Sequence, residues 1–181
     1  MVAFLVTERR LRTDSASLSL KETAHDKGTT RLVGAALGAS WVILALSLPA
    51  NLLGIGALHP AWVFGVAGVA LMTVGFALRT LAARTLGNFY SRTLRTNGGH
   101  KVVSEGLYSV VRHPGYLGMI ALFCGACLTE ANFVALILVP AIVVSAYIRR
   151  IVVEESMLSK ELGRDYIDYM GTTKRLIPFI Y

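Results

Sequence analysis

Charge is what this chain has least of. Only 16% of its 181 residues are Asp, Glu, Lys or Arg, against 54% hydrophobic, and residues 32–58 and 61–78 contain no charged side chain at all. That balance excludes an ordinary water-soluble domain. Cysteine is nearly absent too. The two present, Cys124 and Cys127, sit inside an apolar run with no His or carboxylate beside them. Their C-G-A-C spacing therefore reads as small residues at a helix contact rather than as a redox or metal pair, and no metal site is expected. Phosphate-binding signatures are missing as well: Lys27-Gly28-Thr29-Thr30 lacks the upstream glycine of a P-loop, and no G-x-G-x-x-G opens a helix. No cleavable signal pattern follows the apolar residues 1–6, which end at Glu8-Arg9-Arg10.

What is present is a set of long apolar runs. A helix needs roughly 20 mostly apolar residues to cross a bilayer, and residues 32–58 and 61–78 meet that requirement, separated by His59-Pro60. Residues 116–129, opening just after Pro114, and 132–148, apolar up to Arg149-Arg150, supply a third and a fourth span. The third is short for a full crossing. The expected fold is an all-α, polytopic membrane protein of about four transmembrane helices plus cytoplasmic helices. Its expected organisation is an N-terminal cytoplasmic or interfacial segment (1–31), a transmembrane hairpin (32–82) and a core carrying the second hairpin and a C-terminal helix (83–181). Within 1–31, the polar residues 13–30 show no periodicity and read as a surface linker.

The formal net charge of +7 follows topology rather than a nucleic-acid surface, and no nucleic-acid partner is expected. Arg9, Arg10, Arg12, Lys21, Lys27 and Arg31 precede the first span, and Arg79, Arg84, Arg92, Arg95, Lys101 and Arg112 lie between the second and third. The intervening loops have no Lys or Arg. The positive-inside rule then puts both termini and the central loop in the cytoplasm. Gly34 and Gly38, and Gly65 and Gly68, read as close helix contacts.

Two polar constellations stand out against this apolar background. The first is G-H-K-V-V-S-E-G-L-Y-S-V-V-R-H-P-G-Y, residues 99–116, which brings a fixed cation, titratable imidazoles and phenols into eighteen residues. If 104–111 is a short helix, Tyr108 and Arg112 share a face and His113 points about 100° away. The second is residues 149–169, which read as a helix running out of the last span, stopped by Gly163, with a further amphipathic turn over 165–170. Arg150 and Glu154 have the spacing of an i, i+4 pair. Glu154 and Glu155 diverge by about 100°, so one of them faces a ligand, with a cationic ligand or Arg112 as the compensating charge.

Together these segments resemble the isoprenylcysteine carboxyl methyltransferase family, within a wider group that includes phospholipid methyltransferases. The resemblance runs over residues 86–178, about half the chain. It implies a membrane-embedded enzyme that uses S-adenosylmethionine and acts on a lipophilic acceptor, most simply by carboxyl O-methylation of an isoprenylcysteine-like substrate. Phospholipid N-methylation and thiol S-methylation are the alternatives, with a membrane reductase or a non-catalytic scaffold behind them. By the same resemblance, His100, Val103, Gly106, Tyr108, His113, Pro114 and Tyr116, joined by Glu154 and Glu155, match positions lining the cofactor pocket. Arg112, Glu154 and Glu155 are the candidates for the chemistry, with Arg112 as carboxylate clamp. Leu86-Gly87-Asn88-Phe89-Tyr90 resembles the family's loop entering the site, with Phe89 and Tyr90 as the aromatic candidates. Archaeal and eukaryotic members carry a further N-terminal span, to which residues 1–6 would correspond as a stub.

Methyl transfer suits this inventory, because in-line displacement at a sulfonium methyl needs positioning and desolvation more than acid catalysis. A lipid-tailed acceptor enters sideways between helices, while the soluble donor arrives from the cytoplasm. Membrane lipids are the other expected partners.

Overall fold

A computed structural model describes residues 26–87 and 102–178. They form five α helices: α1, Thr29–Leu52; α2, Ala61–Leu86; α3, Pro114–Glu130; α4, Phe133–Leu162; and α5, Arg164–Thr172, with a 3-10 turn at Gly106–Ser109. No β-strand beyond two isolated bridges occurs among the described residues. Helices α1, α2 and α4 are long and apolar enough to cross a membrane, and α3 is a shorter apolar helix. The chain is a multi-pass integral membrane protein of helical class. Large apolar side chains on α1 and α2 point outward, Leu46 at 62% exposure and Trp62 at 73%. They suit lipid, whereas in water such a band would aggregate.

The helix limits follow local chemistry. Pro114 opens α3 at a position whose missing N–H is no loss. The Asn132 side chain caps α4 by accepting from the amides of Val134 at 3.0 Å and Ala135 at 3.2 Å. Gly163, at φ 59°, ends α4 and lets the chain turn into α5. At 30 residues α4 is about 45 Å long, so its last turns, carrying Glu154 and Glu155, project beyond a hydrocarbon core of roughly 30 Å. With 17 residues, α3 spans only about 25 Å.

Helices α2 and α3 pack backbone to backbone through glycines seven residues apart on each. A Cβ added at Gly68 would lie 2.5 Å from the Gly125 carbonyl oxygen, and one at Gly75 would lie 2.6 Å from that of Gly118. Only glycine permits this approach. The expected contact at Gly68 is present, but among the described residues nothing lies within 4 Å of such a Cβ at Gly34, Gly38 or Gly65. Their faces point away from the bundle. On the other side of α3, the core of Leu44, Phe123, Cys127, Ala135, Val139, Val143 and Tyr147 joins α1, α3 and α4. Cys127 is fully buried in it.

At the end of the bundle remote from Glu154, polar groups lock the two tight connections together. Asn132 donates to Asn51 Oδ1 at 2.7 Å, Asn51 donates to the Glu130 carbonyl at 2.6 Å, and the Leu58 amide donates to the Ala131 carbonyl at 2.7 Å. The hairpins are thereby fixed in register. Their opposite ends then converge on the polar cluster.

Candidate functional site

The segment preceding α3 is held by the chain's C-terminal stretch. The Arg112 amide donates to the Lys174 carbonyl at 2.7 Å and the His113 amide to that of Arg175 at 3.0 Å, while the Lys174 amide donates to Val110 at 3.2 Å. A helix over 104–111, expected from spacing, is therefore cut short. Gly106, at φ 57°, starts only the four-residue 3-10 turn; the Val110 and Val111 amides close it on Leu107, and the Arg112 and His113 amides beyond are committed to Lys174 and Arg175. Tyr108 and Arg112 do not share a helical face. Tyr108 is buried, and its carbonyl accepts from the Tyr169 hydroxyl at 2.7 Å, which ties the turn to α5.

Glu155 is surrounded by cations. Arg112 Nε donates to its Oε1 at 2.8 Å and Arg175 Nε to its Oε2 at 2.9 Å. His113 Nε2 lies 3.4 Å from Oε1, so Arg112 and His113 converge on one carboxylate instead of diverging. The carboxylate is 4% exposed, and at that burial it requires such compensation. Arg112 is further held by its Nη1, which donates to the carbonyls of Met170, at 3.1 Å, and Thr173. Its Nη2 makes no hydrogen bond among the described residues.

Glu154 has a different environment. Its side chain is 22% exposed, and its Oε2 accepts from the Tyr116 hydroxyl at 2.7 Å. His113 Nδ1 is 3.7 Å away, and the His113 and Tyr116 rings stack at 5.4 Å with only 6° between their planes. Tyr116 also accepts from Arg150 Nε at 2.8 Å, so it bridges the residues whose spacing suggested a direct pair. His113 is 6% exposed and its Nε2 is buried without a hydrogen bond among the described residues. That nitrogen faces the Glu155 carboxylate, so the imidazole lies between the two glutamates.

On α5, burial pushes the Tyr166 phenol well above its ordinary value, and the nearby charges of Glu154 and Glu155 push it further. Tyr166 and Tyr169, 5.8 Å apart between ring centres, wall the cluster with neutral phenols.

The structure thus brings Arg112, His113, Tyr116, Glu154 and Glu155 together, with Pro114 starting the helix that carries Tyr116. Tyr108 supports the turn from outside the cluster, and Gly106 sits against α2, where an added Cβ would meet Thr85 Oγ1 at 3.6 Å. Val103 lies in the half-buried approach to that turn. His100, Phe89 and Tyr90 fall outside the described residues. Sequence reasoning missed Arg175 and Tyr166, and it placed Asp26 in a surface linker. Asp26 is instead completely buried, and α1 begins at Thr29, three residues before the charge-free run.

Comparison with known proteins places the chain in a family. The profile of the isoprenylcysteine carboxyl methyltransferase family matches residues 68–160, just over half the chain. A protein-S-isoprenylcysteine O-methyltransferase B of Arabidopsis thaliana is 28% identical over 141 residues, 77% of this chain and 72% of that one. The protein-S-isoprenylcysteine O-methyltransferase of Saccharomyces cerevisiae is 33% identical over 117 residues, 64% of this chain and 49% of its own length. A probable relative of the same name in Oryza sativa subsp. indica, 27% identical, is matched over 63% of its length. Among solved structures, that of the eukaryotic intramembrane Ras methyltransferase ICMT superposes with a TM-score of 0.62 at 27% identity, over 81% of this chain and 52% of that one. The chain accordingly spans about half to two thirds of most of these relatives. On the profile match and the shared helical architecture, the chain belongs to the isoprenylcysteine carboxyl methyltransferase family.

Proposed function

We propose that this protein is an S-adenosylmethionine-dependent methyltransferase that esterifies the carboxylate of an isoprenylcysteine-like, lipid-tailed acceptor, with its site at the cytoplasmic face. The observation that carries the reading is the division of labour between adjacent glutamates. Glu155 is buried and neutralised by Arg112 and Arg175, whereas Glu154 keeps a partly exposed carboxylate 3.7 Å from His113 Nδ1. That is a negative group, open on one side, set against an imidazole and beside a second carboxylate whose charge is already balanced. Such a donor set fits a zwitterionic, sulfonium-bearing cofactor.

When bound, S-adenosylmethionine supplies an electrophilic methyl on a positively charged sulfur. Glu154 faces that charge, and the Tyr116 hydroxyl fixes its carboxylate without neutralising it. His113, held by its stack on Tyr116, keeps its ring between Glu154 and Glu155. Two guanidiniums against one carboxylate leave the Glu155 side with net positive charge, so Arg112 Nη2 is the group to meet the acceptor's carboxylate. An ionised carboxylate needs no general base. The chain's task is to hold donor and acceptor in line and keep water away.

Calorimetry in detergent with S-adenosylmethionine, S-adenosylhomocysteine and NADPH tests the reading. Binding of the two sulfur ligands and not of NADPH is expected. A wild-type protein that binds neither sulfur ligand overturns it.

A further inference from the structure

A second buried carboxylate lies outside this machinery. Asp26 is 0% exposed, at the entrance to α1, and it is pinned by Thr29 Oγ1, which donates to Oδ1 at 2.6 Å, and by the Thr30 amide, which donates to Oδ2 at 3.2 Å. Capping a helix does not by itself require such burial. Its Oδ1 stands 3.6 Å from Arg150 Nη1, and the same Nη1 donates to Thr30 Oγ1 at 3.0 Å. Arg150 is itself only 4% exposed.

Arg150 lies one helical turn before Glu154, close enough to draw off the negative charge that a cationic ligand needs. The Tyr116 hydroxyl stands between them. A guanidinium cannot accept a hydrogen bond, so the hydroxyl accepts from Arg150 at 2.8 Å and its single proton goes to Glu154 at 2.7 Å. Among the described residues that pair with Arg150 or share its hydroxyl partner, Arg150 contributes one positive charge and Asp26 and Glu154 one negative charge each. Within that group, Asp26 offsets Arg150 and leaves Glu154 its charge.

We propose that Asp26 is the counter-ion that keeps Arg150 from neutralising Glu154, so that Asp26 and Arg150, remote from each other in sequence, are positioning residues for cation recognition. The proposal rests on the reading that Glu154 faces the methyl donor. It makes the start of α1 part of the donor site's electrostatics, although no residue of α1 is expected to touch the donor. The signs are opposite for the two partners: loss of Asp26 removes an anion and makes the surroundings of Glu154 more positive, and loss of Arg150 removes a cation and makes them more negative.

The test is calorimetry of wild type, Asp26→Asn, Arg150→Met and the double variant, each with S-adenosylmethionine and with S-adenosylhomocysteine, which lacks the sulfonium charge. The ratio of the two affinities isolates recognition of that charge. Asp26→Asn should lower the preference for S-adenosylmethionine about tenfold, Arg150→Met should raise it, and the double variant should return within about twofold of wild type. Parallel weakening of both ligands in the single variants is what a merely structural role gives, and it overturns the proposal. The double variant removes both charges of the pair together and gives a second reading if a single variant does not fold. A lost preference there also overturns the proposal. Failure of the underlying functional reading is separately visible, because wild type alone would then bind neither ligand.

Discussion

Arg112 Nε and Glu155 Oε1 meet at 2.8 Å with both side chains almost wholly buried, 7% and 4% exposed. This ion pair links the loop before α3 to the end of α4. Arg175, on the opposite oxygen, adds the C-terminal segment, so three stretches remote in sequence depend on one carboxylate. Neutralising it strands the cations that it compensates.

Glu155→Gln should therefore cost about 3–5 kcal/mol of stability, the range for breaking a buried pair from one side. Glu154→Gln, which leaves no buried cation directly stranded, should cost about 1 kcal/mol or less. Thermal unfolding of the two variants in the same detergent separates them; equal losses would contradict the division of roles.

Gly75→Ala should destabilise the protein by about 1–3 kcal/mol, because the new methyl would lie 2.6 Å from the Gly118 carbonyl on α3. Gly34→Ala and Gly38→Ala meet open space inside a helix and should be neutral, or stabilising by up to about 1 kcal/mol. Unfolding midpoints of the three variants read the contrast directly.

His113→Asn should weaken S-adenosylmethionine binding about tenfold, through loss of the imidazole beside Glu154 and of the stack that steadies Tyr116. An unchanged dissociation constant by calorimetry would remove His113 from the donor site.

Burial pushes the Tyr169 phenol up to about 12. A phenol with a raised folded value contributes stability in full below its unfolded value near 10 and loses that contribution as pH rises toward the folded one. Stability should fall between about pH 10 and 12, and Tyr169→Phe should flatten that part of the profile while costing about 1 kcal/mol at neutral pH through the lost bond to Tyr108. Thermal midpoints measured across this pH range check both effects.

The spans were legible because absence of charge over some twenty residues leaves few alternatives, and Pro114, Asn132 and Gly163 mark helix ends by local chemistry. The glycine contacts were only partly legible. Gly34 and Gly38 have the same small-residue signature as Gly68 and Gly75, and only the position of α3 decides which pair is buried. The polar cluster could be read from residue types, yet its wiring could not. Spacing alone suggests that Arg150 pairs with Glu154, and only the fold inserts Tyr116 between them. Arg175 and Asp26 carried no periodic signal, since their partners lie on α4 at the far end of long-range contacts.

The most direct measurement is transfer of labelled methyl from S-adenosylmethionine to a farnesylated cysteine derivative with a free carboxylate, by the full chain in detergent or liposomes. The expected product is a methyl ester that releases volatile label in alkali, formed by wild type and strongly reduced in Glu154→Gln. Wild type that binds the donor yet forms no alkali-labile product, or a Glu154→Gln variant as active as wild type, would contradict the account.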